Sequence, residues 1–373
     1  MNITPALGGD PEIFVVDKKD KLVSASKIIE GKVTTHYGEV VNDGMQIELH
    51  PSPSTCREVL ANNIFDCMKS ASEISKAKGL SLSCDFTHAV EEKVLKELPA
   101  EVSALGCEPD YSAYSGKIKI LNIDGSKHFK RYCGGHIHLG VAQQYFHRTD
   151  VQGRLLYKKT AEAQFHEHAD EMVRMFDYLV GNTAVLLDHD ESNVERRKVY
   201  GQAGSYRYQP HGIEYRTLSN FWLRHTSILS LMYVLARLAA KLTPPTFGDF
   251  KVANLTKFMS EVPEKLIEEA INNNDYKLAE QNFKKIFNLL MKEDQSNIEL
   301  LDEVDAKYIL YLNKFPNKSV WYNKNYAENW GLEKLACFNG EGHANWGWRN
   351  TIDKIVGWNN LHKDKDFIEI NLN

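Results

Sequence analysis

Two histidines alternate with apolar residues in the stretch Gly134-Gly135-His136-Ile137-His138-Leu139-Gly140-Val141. Because side chains of a β-strand point alternately to opposite faces, both imidazoles share one face, and Ile137, Leu139 and Val141 share the other. An ordinary half-exposed strand would carry uncharged or solvated polar residues on its outer face. Two imidazoles in those positions indicate a strand that contributes side chains to a functional site.

Three further short segments, at 10–15, 45–50 and 213–217, repeat this alternation with ionisable side chains. Period-two alternation assigns the ionisable groups of all four strands to one face of each strand. The groups are Asp10, Glu12, Glu48, His50, His136, His138, Glu214 and Arg216. If the four strands lie in one sheet, these groups gather on one face while helices cover the other.

Carboxylates gathered in this way repel one another unless cations compensate their charge. Carboxylate oxygens suit hard ions such as Mg²⁺, and an imidazole among them moves the preference towards Mn²⁺. Each strand taken alone is also typical of a solvated surface strand, and a single His-x-His motif is weak. Four such strands in one chain favour a metal site.

The segment 195–207 is cationic and contains two glycines beside Arg196, Arg197, Lys198 and Arg207. Basic side chains bind phosphates and neutralise the charge of a transferring phosphoryl group, and glycine lets backbone N–H groups approach an anion. The same composition also fits an exposed basic loop. The sequence has neither the GxxxxGK[ST] motif of P-loop proteins nor the GxGxxG motif of dinucleotide-binding folds, which excludes those two modes of phosphate binding.

Apolar residues at helical spacing predict five helices. The helices are at 55–78, 160–187, 226–242, 263–273 and 276–292. A capping box at Thr55 and Glu58 begins the first helix, and Gly79 ends it. Strand-rich segments followed by helices indicate an α+β fold rather than a doubly wound parallel sheet.

Pro244-Pro245 ends the third helix and marks a boundary between two predicted regions. Residues 1–245 form a first domain, and residues 246–373 form a helical, aromatic-rich extension. Within the extension, the Gly- and Trp-containing segment 337–348 is predicted to be a packed loop, with a loop that grips substrate as the alternative.

Composition excludes several classes of protein. The 373 residues include 45 basic and 50 acidic side chains, for a net charge of −5, which disfavours extended nucleic-acid binding because such a surface needs a basic excess. The most apolar long stretch, 228–242, is too short and too charged to cross a bilayer. The start lacks the features of a secretory signal, and the six cysteines form no CxxC pair. The sequence therefore predicts a cytoplasmic protein with reduced thiols and no membrane association, in the host cytoplasm if a virus encodes it.

The four strand motifs resemble, in order, the signature strands of the glutamine synthetase and glutamate–cysteine ligase superfamily, and within it the phage-type carboxylate–amine ligases, or amidoligases. The motifs lie at 8–14, 44–51, 134–140 and 212–217, and the stretches 200–207 and 218–222 are similar too. The resemblance covers about residues 7–225. It implies a curved antiparallel sheet with helices on its outer face, built around a two-metal ATP site, and leaves a mainly helical C-terminal extension.

The resemblance also implies roles for individual residues. The implied ligands of Mg²⁺ or Mn²⁺ are Asp10, Glu12, Glu48, His136 and Glu214. The resemblance implies that Arg216 binds an ATP phosphate, and the cationic segment adds Arg207, Arg196, Arg197 and Lys198 as further phosphate-binding candidates. ATP would phosphorylate a carboxylate, and an amine would then displace the phosphate to give an amide. His138 is the first candidate to take the proton of the amine, with His50 and Glu39 as alternatives.

Two other functions stay open at this point. One is a metal-dependent hydrolase that uses the same acidic and histidine residues, for which Cys133, His136 and His138 could be drawn as a zinc site. The other is a non-catalytic viral protein on a ligase fold. For the ligase, the substrates are predicted only by class: a small-molecule or peptide carboxylate and an amine, with an amine on a modified nucleobase among the acceptors. An oligomer would fit the synthetase relatives, but no motif fixes a symmetry.

Overall fold

A computed structural model describes residues 5–83, 85–97, 110–119, 127–141, 166–188, 190–243, 252–292 and 330. In this part of the chain no helix combines the length and the apolarity that a bilayer crossing requires. The boundary at Pro244-Pro245 and the segment 337–348 lie outside the described residues, so the predictions about them stay predictions.

The strands of the described residues form two antiparallel sheets and one separate pair. They are β1 (Pro5–Gly9), β2 (Glu12–Val16), β3 (Leu22–Val23), β4 (Lys32–Thr34), β5 (Gly38–Asp43), β6 (Gln46–Pro51), β7 (Ser81–Ser83), β8 (Thr87–Ala89), β9 (Asp110–Ser112), β10 (Ile118–Lys119), β11 (Lys130–Tyr132), β12 (Ile137–Val141), β13 (Ser205–Gln209) and β14 (Gly212–Tyr215). The first sheet has the order β1-β12-β14-β13-β9-β10. The second has the order β3-β2-β6-β5-β4, with β7 also paired to β2, and β8 pairs with β11.

The chain passes from the first sheet to the second at Asp10-Pro11, between β1 and β2. Proline has no N–H group and cannot extend the hydrogen-bond ladder of β1. The carbonyl of Pro11 instead accepts from the N–H of Leu49 in β6 at 3.0 Å, and the N–H of Glu12 donates to the carbonyl of Gly134 beside β12 at 2.9 Å. The four strands expected in one sheet therefore belong to two sheets that meet at this point, which corrects the expectation of a single sheet.

Helices make up most of the remaining described residues. They are α1 (Arg57–Ala77), α2 (Glu92–Glu97), α3 (Ala169–Phe176), α4 (Asn182–Leu187), α5 (Ser192–Val199), α6 (Thr226–Leu242), α7 (Val252–Glu261), α8 (Glu264–Asn272) and α9 (Tyr276–Lys292). A π-helical turn (Asp177–Gly181) joins α3 to α4, and 3-10 turns span Ala25–Lys27 and Asn220–Arg224.

The predicted helices agree closely with the observed ones, and the mixed α+β fold is confirmed. α6 and α9 have the predicted bounds. Gly79 follows α1 with φ of +72°, the left-handed conformation expected after a helix end. The N-cap of α1 is Cys56, without a side-chain cap, rather than Thr55. The start of the helix predicted at 160–187 lies outside the described residues, and its described part is helical through the π turn to Leu187.

Two aromatic side chains of the helical layer hold β1 and the segment just before β12. Trp222 and Tyr233 are buried. Trp222 Nε1 donates to the carbonyl of Gly135 at 3.0 Å, and the hydroxyl of Tyr233 donates to the carbonyl of Gly8 at 3.1 Å. A Cβ atom at Gly135 would lie 2.2 Å from the carbonyl oxygen of Ser219, so the close approach requires glycine.

The C-terminal helices pack against the outer helical layer rather than against the sheets. The hydroxyl of Tyr178 in the π turn donates to the carbonyl of Val262 at 2.5 Å. Asn182 Nδ2 donates to the carbonyl of Ala279 in α9 at 3.0 Å, and Asn282 Nδ2 donates to Asn182 Oδ1 at 3.2 Å. The mainly helical character expected after residue 246 is therefore present in the described residues of this region.

Candidate active site

Ionisable residues stand in two rows across the first sheet, because the strands pair in register. The first row, in which each residue lies opposite the next, is Gly8, His138, Glu214 and Arg207. The second row is Asp10, His136 and Arg216, which lie one residue beyond the ends of β1, β12 and β14. Each is two residues from the member of the first row in its own segment, so both rows share one face. The register therefore brings the ionisable groups next to β1 and on β12 and β14 together on one face.

Three groups from these rows form a first cluster, in which Asp10, His136 and Glu214 offer ligand atoms within 4.8 Å of one another. His136 Nδ1 lies 3.2 Å from Asp10 Oδ1 and 3.2 Å from Glu214 Oε1. His136 and Glu214 are buried, and Asp10 is partly buried. The imidazole nitrogen thus stands between two carboxylates, which is an arrangement that can hold a divalent cation.

Neighbouring cations balance the acidic charge of the first cluster. Burial raises the pKa of Asp10, but the positive charges of His138 and His136 outweigh that effect and hold it well below the usual value. Burial also raises the pKa of Glu214, but the charges of Arg216 and His136 outweigh it and lower the pKa. Both carboxylates are therefore ionised at neutral pH, as metal ligands must be.

A second cluster lies where the sheets meet and contains Glu12, Asp43 and Glu48, whose ligand atoms also lie within 4.8 Å of one another. Glu12 and Glu48 are directly opposite each other on β2 and β6. Asp43 ends β5, two residues separate it from the start of β6, and Gly44 in this turn has φ of +61°. Asp43 was not predicted as a site residue. Its Asp-Gly sequence indicates a tight hairpin turn and gives no sign of a ligand.

The acidic charge of the second cluster is not balanced by neighbouring cations to the same extent. Burial, followed by repulsion from Asp43 and Glu48, raises the pKa of Glu12 well above its usual value, although the N–H of Gly134 donates to its carboxylate at 2.7 Å. Burial also raises the pKa of Glu48, and its hydrogen bond with His50 opposes this only in part. Three crowded oxygen donors of this kind fit a hard divalent cation such as Mg²⁺ or Mn²⁺.

Arg216 and Arg207 end the two rows on the side away from β1. Arg216 Nη1 donates to Glu214 Oε1 and lies 3.5 Å from His136 Nδ1. Both guanidinium groups also face Asp110, a buried residue of β9 that was not predicted as a site residue. These two arginines are therefore next to the first cluster, as expected for groups that bind a phosphate near metal ions.

The other three predicted phosphate-binding residues belong to α5 and not to an exposed loop. Arg196 is fully buried, donates to the carbonyl of Thr217 at 2.6 Å, and stacks its guanidinium over the ring of Tyr200 at 5.4 Å. Arg197 is also buried and donates to Asn274 at 2.9 Å. Burial lowers its pKa to about 9. Lys198 lies on the exposed side of the helix. These hydrogen bonds join α5 to the segment after β14 and to the turn between α8 and α9, and neither is with a carboxylate cluster.

The three candidates for proton transfer differ in the groups that they contact. His138 Nε2 lies 3.2 Å from Asp10 Oδ2, and its ring stacks on that of His211 with centroids 5.2 Å apart. Burial by itself would lower the pKa of His138, but the charge of Asp10 and their hydrogen bond outweigh it and raise the pKa. His50 Nε2 lies 2.6 Å from Glu48 Oε2. Glu39 is paired with Lys32 at 2.7 Å.

A cavity of about 910 Å³ opens beside both clusters. Asp10 of the first cluster and Glu48 of the second both line it, with His50, His138 and His211. Neither Arg216 nor Arg207 is among its described lining residues. The cavity therefore lies on the side of the site that carries the histidines, and the two guanidinium groups lie on the side towards β9.

The zinc site considered for a hydrolase does not form in the described residues. Cys133 is fully buried among Phe14, Met45 and Phe86. It contributes to neither of the clusters found in the described part of the chain. Burial raises the pKa of its thiol well above the usual value, which disfavours the thiolate that zinc requires.

The sequence matches the protein family described as "Phage phiEco32-like COOH.NH2 ligase-type 2" over residues 166–303. No curated protein matches the chain. A solved structure described as "Crystal structure of novel glutamine synthase homolog" has 10% sequence identity and a TM-score of 0.31, and the likeness covers 83% of this chain and 71% of that chain. The family match supports a carboxylate–amine ligase, the class that the strand motifs resemble. The matched residues include Glu214 and Arg216.

Proposed function

We propose that this chain is an ATP- and Mg²⁺-dependent ligase that joins a carboxylate to an amine through an acyl phosphate. The family match supports the carboxylate–amine ligase class. The observation that carries the rest is the convergence of two carboxylate clusters beside Arg216 and Arg207, with Asp10 and Glu48 also facing the cavity. Two cation sites beside a pair of guanidinium groups and a roomy cavity are what a transferring phosphoryl group needs.

In this proposal Asp10, His136 and Glu214 hold one divalent ion, and Glu12, Asp43 and Glu48 hold the other. The ions, when bound, would neutralise charge on the phosphate oxygens during transfer. The nucleoside part of ATP would occupy the cavity, whose volume of about 910 Å³ is within the usual range for ligand sites, roughly 300–1,000 Å³. The triphosphate would then extend from the cavity between the clusters, so that its terminal phosphoryl group reaches Arg216 and Arg207.

The reaction has two steps. An oxygen of the substrate carboxylate attacks the γ-phosphorus of ATP, the bond to the β-phosphate oxygen breaks, and ADP leaves. Arg216 and Arg207 bind the phosphoryl group and its developing charge during this transfer. The nitrogen of the amine then attacks the acyl carbon, and inorganic phosphate leaves to give the amide. The nitrogen loses one proton, for which His138 is the first candidate because it lies 3.2 Å from Asp10 of the first cluster.

The test is ADP release by the full-length protein with Mg²⁺ or Mn²⁺, screened over pairs of carboxylates and amines. The carboxylates would include glutamate, other amino acids and peptides, and the amines would include ammonia, amino acids, polyamines and aminated nucleobases. We expect release of ADP and phosphate that requires both substrates. We expect Glu214→Gln and His136→Ala to abolish it. A protein that binds no nucleotide by calorimetry, or substituted proteins with full turnover, would contradict the proposal.

A further inference from the structure

Asp110 is a buried acid that belongs to neither carboxylate cluster. It begins β9 and is 6% exposed. Its Oδ1 atom lies 2.8 Å from Arg216 Nε and 3.5 Å from Arg207 Nε. One carboxylate oxygen thus faces the Nε atoms of both arginines that stand at the end of the site.

The position of Asp110 follows from the sheet register. Tyr206 of β13 pairs with Tyr111 of β9, and Ser205 pairs with Ser112. One further step in this antiparallel register brings Arg207 opposite Asp110. Asp110 therefore extends the first row of ionisable residues by one strand, on the face that carries Glu214.

The contacts of Arg216 leave part of its guanidinium available to a ligand. Nε faces Asp110 and Nη1 donates to Glu214, while Nη2 has no partner among the described residues. Burial by itself would lower the pKa of Arg216, but the charges of Glu214, Asp110 and Asp10 outweigh it and raise the pKa. The guanidinium is therefore held in place at two of its three nitrogens and stays charged.

We propose that Asp110 is a positioning residue that holds Arg216 and Arg207 side by side, so that together they recognise the terminal phosphoryl group of a nucleoside triphosphate. The inference rests on the proposed function. Without the carboxylate, two like charges would repel each other and the guanidinium groups would lose their common anchor. A bidentate donor pair loses strength when its geometry is not fixed in advance.

The position of Asp110 predicts which part of the nucleotide it affects. It lines neither the cavity nor a cluster in the described residues. Its substitution should therefore leave the binding of the nucleoside and of the first two phosphates nearly unchanged. The effect should be confined to the contact with the third phosphate, which distinguishes this role from a general contribution to stability.

The experiment is calorimetric titration of the full-length protein, in the presence of Mn²⁺, with ADP and with the non-hydrolysable β,γ-imido analogue of ATP. We expect the unsubstituted protein to prefer the triphosphate. In Asp110→Asn the triphosphate affinity should fall by ~10- to 100-fold, the range for a charge-assisted hydrogen bond. The affinity for ADP should change by less than about twofold.

Two further variants make the result specific. Asp170 accepts a hydrogen bond from the hydroxyl of Tyr206 at 2.9 Å, on the opposite face of β13, so Asp170→Asn should keep the full preference for the triphosphate. Asp110→Glu keeps the charge but moves it by one methylene, so it should lose part of the preference. Asp110→Glu also replaces Asp110→Asn as the test variant if thermal denaturation shows that Asp110→Asn does not fold.

The outcomes separate this inference from the proposed function. Equal losses for both nucleotides, no loss in Asp110→Asn, or an undiminished preference in Asp110→Glu would each overturn the positioning role alone. If the unsubstituted protein takes up neither nucleotide, the proposed function fails, and the positioning role fails with it.

Discussion

The two carboxylate clusters offer similar oxygen ligands but differ in how their charge is balanced. In the first, Asp10 and Glu214 stand beside His136 and Arg216, and both carboxylates have lowered pKa values. In the second, Glu12 stands beside other acids, and burial and their repulsion raise its pKa well above the usual value. The first cluster is therefore a largely balanced network without any added ion, whereas the second gains much more from a cation.

Because of this difference, a Glu→Gln substitution should change the unfolding free energy in opposite directions in the two clusters. Removing a negative charge from a balanced buried network leaves buried cations without a partner, which is strongly unfavourable. Removing a negative charge from a crowded acidic cluster relieves repulsion. Measurements on the metal-free protein therefore test the charge balance, and measurements with metal test the ligand role.

The largest effect is expected for Glu214→Gln in the metal-free protein. The substitution keeps the shape but leaves Arg216 and His136 without the charge of their common partner. We expect the free energy of unfolding to fall by up to about 5 kcal/mol, measured by urea denaturation with a chelator present. Glu195→Gln is the control, because Glu195 pairs with Lys130 on the surface. A loss no larger than that of the control would show that the first cluster is not a balanced network.

Asp177 provides a reference for the comparison, since it is a fully buried acid behind the site on the π turn. It accepts a hydrogen bond from the hydroxyl of Tyr215 at 2.6 Å. Burial, the largest cause, raises its pKa to about 7. The folded state therefore binds a proton that the unfolded state releases from about pH 4 upwards, so this contribution to stability is lost as pH rises through 7.

Asp177→Asn removes the ionisable group, so it should remove this pH dependence. The difference in unfolding free energy between the variant and the unsubstituted protein should grow in favour of the variant from pH 4 to pH 8. The change is at most about 4 kcal/mol for a shift of roughly three pKa units. Urea denaturation at several pH values measures it. If the unfolding free energies of the two proteins change in parallel with pH, the pKa of Asp177 is not raised. The argument that burial raises the pKa of buried acids in this protein would then be wrong.

Much of the fold and part of the site could be predicted because they depend on local periodicity. The alternation in β12 and β14 assigns His136, His138, Glu214 and Arg216 to one face, and the register of these strands agrees with that assignment. Spacing of apolar residues defines α6 and α9 over their observed lengths. These features are visible in a sequence because each one involves residues within a single element.

Other features depend on which distant segments pair, and local sequence does not encode that. Asp43 ends β5 next to a hairpin turn, where an Asp-Gly pair is explained by turn geometry alone. Asp110 begins a three-residue strand, too short to show an alternation. Arg196 and Arg197 appear in the sequence as a basic run, yet both are buried, with hydrogen bonds to Thr217 and to Asn274. The two-sheet division depends on the proline at position 11, whose effect appears only once the strands are paired.

Adding Mn²⁺ should stabilise the protein and should distinguish the clusters by affinity. An ion at 100 times its dissociation constant stabilises the folded state by about 2.7 kcal/mol. Because the first cluster already contains cationic partners, a divalent ion gains less Coulomb energy there than in the second. We expect calorimetry to resolve a tighter site that is lost in Glu12→Gln and a weaker site that is lost in Glu214→Gln. If Glu12→Gln keeps the tighter site, the ranking of the clusters is wrong.

The smallest effect, and the one with the opposite sign, is expected for Glu12→Gln without metal. Glu12 is buried and faces Glu48 directly across the strands, with Asp43 also near. The glutamine keeps an oxygen that can accept from the N–H of Gly134, so the hydrogen bond at 2.7 Å is retained. Relief of repulsion should therefore raise the unfolding free energy at pH 7, by about 1 kcal/mol, the common size of a single-residue effect.

Whether Glu12→Gln raises or lowers the unfolding free energy depends on whether a metal ion is bound. In a chelator, urea denaturation should show Glu12→Gln as the more stable protein, whereas in saturating Mn²⁺ the unsubstituted protein should be the more stable, because only it keeps the full ligand set. Glu91→Gln, an exposed acid paired with Lys21, should show neither change. A Glu12→Gln protein that is less stable in the chelator would mean that Gln46 and Gly134, which both donate to its carboxylate, already balance its charge, and that the two clusters do not differ as their pKa directions indicate.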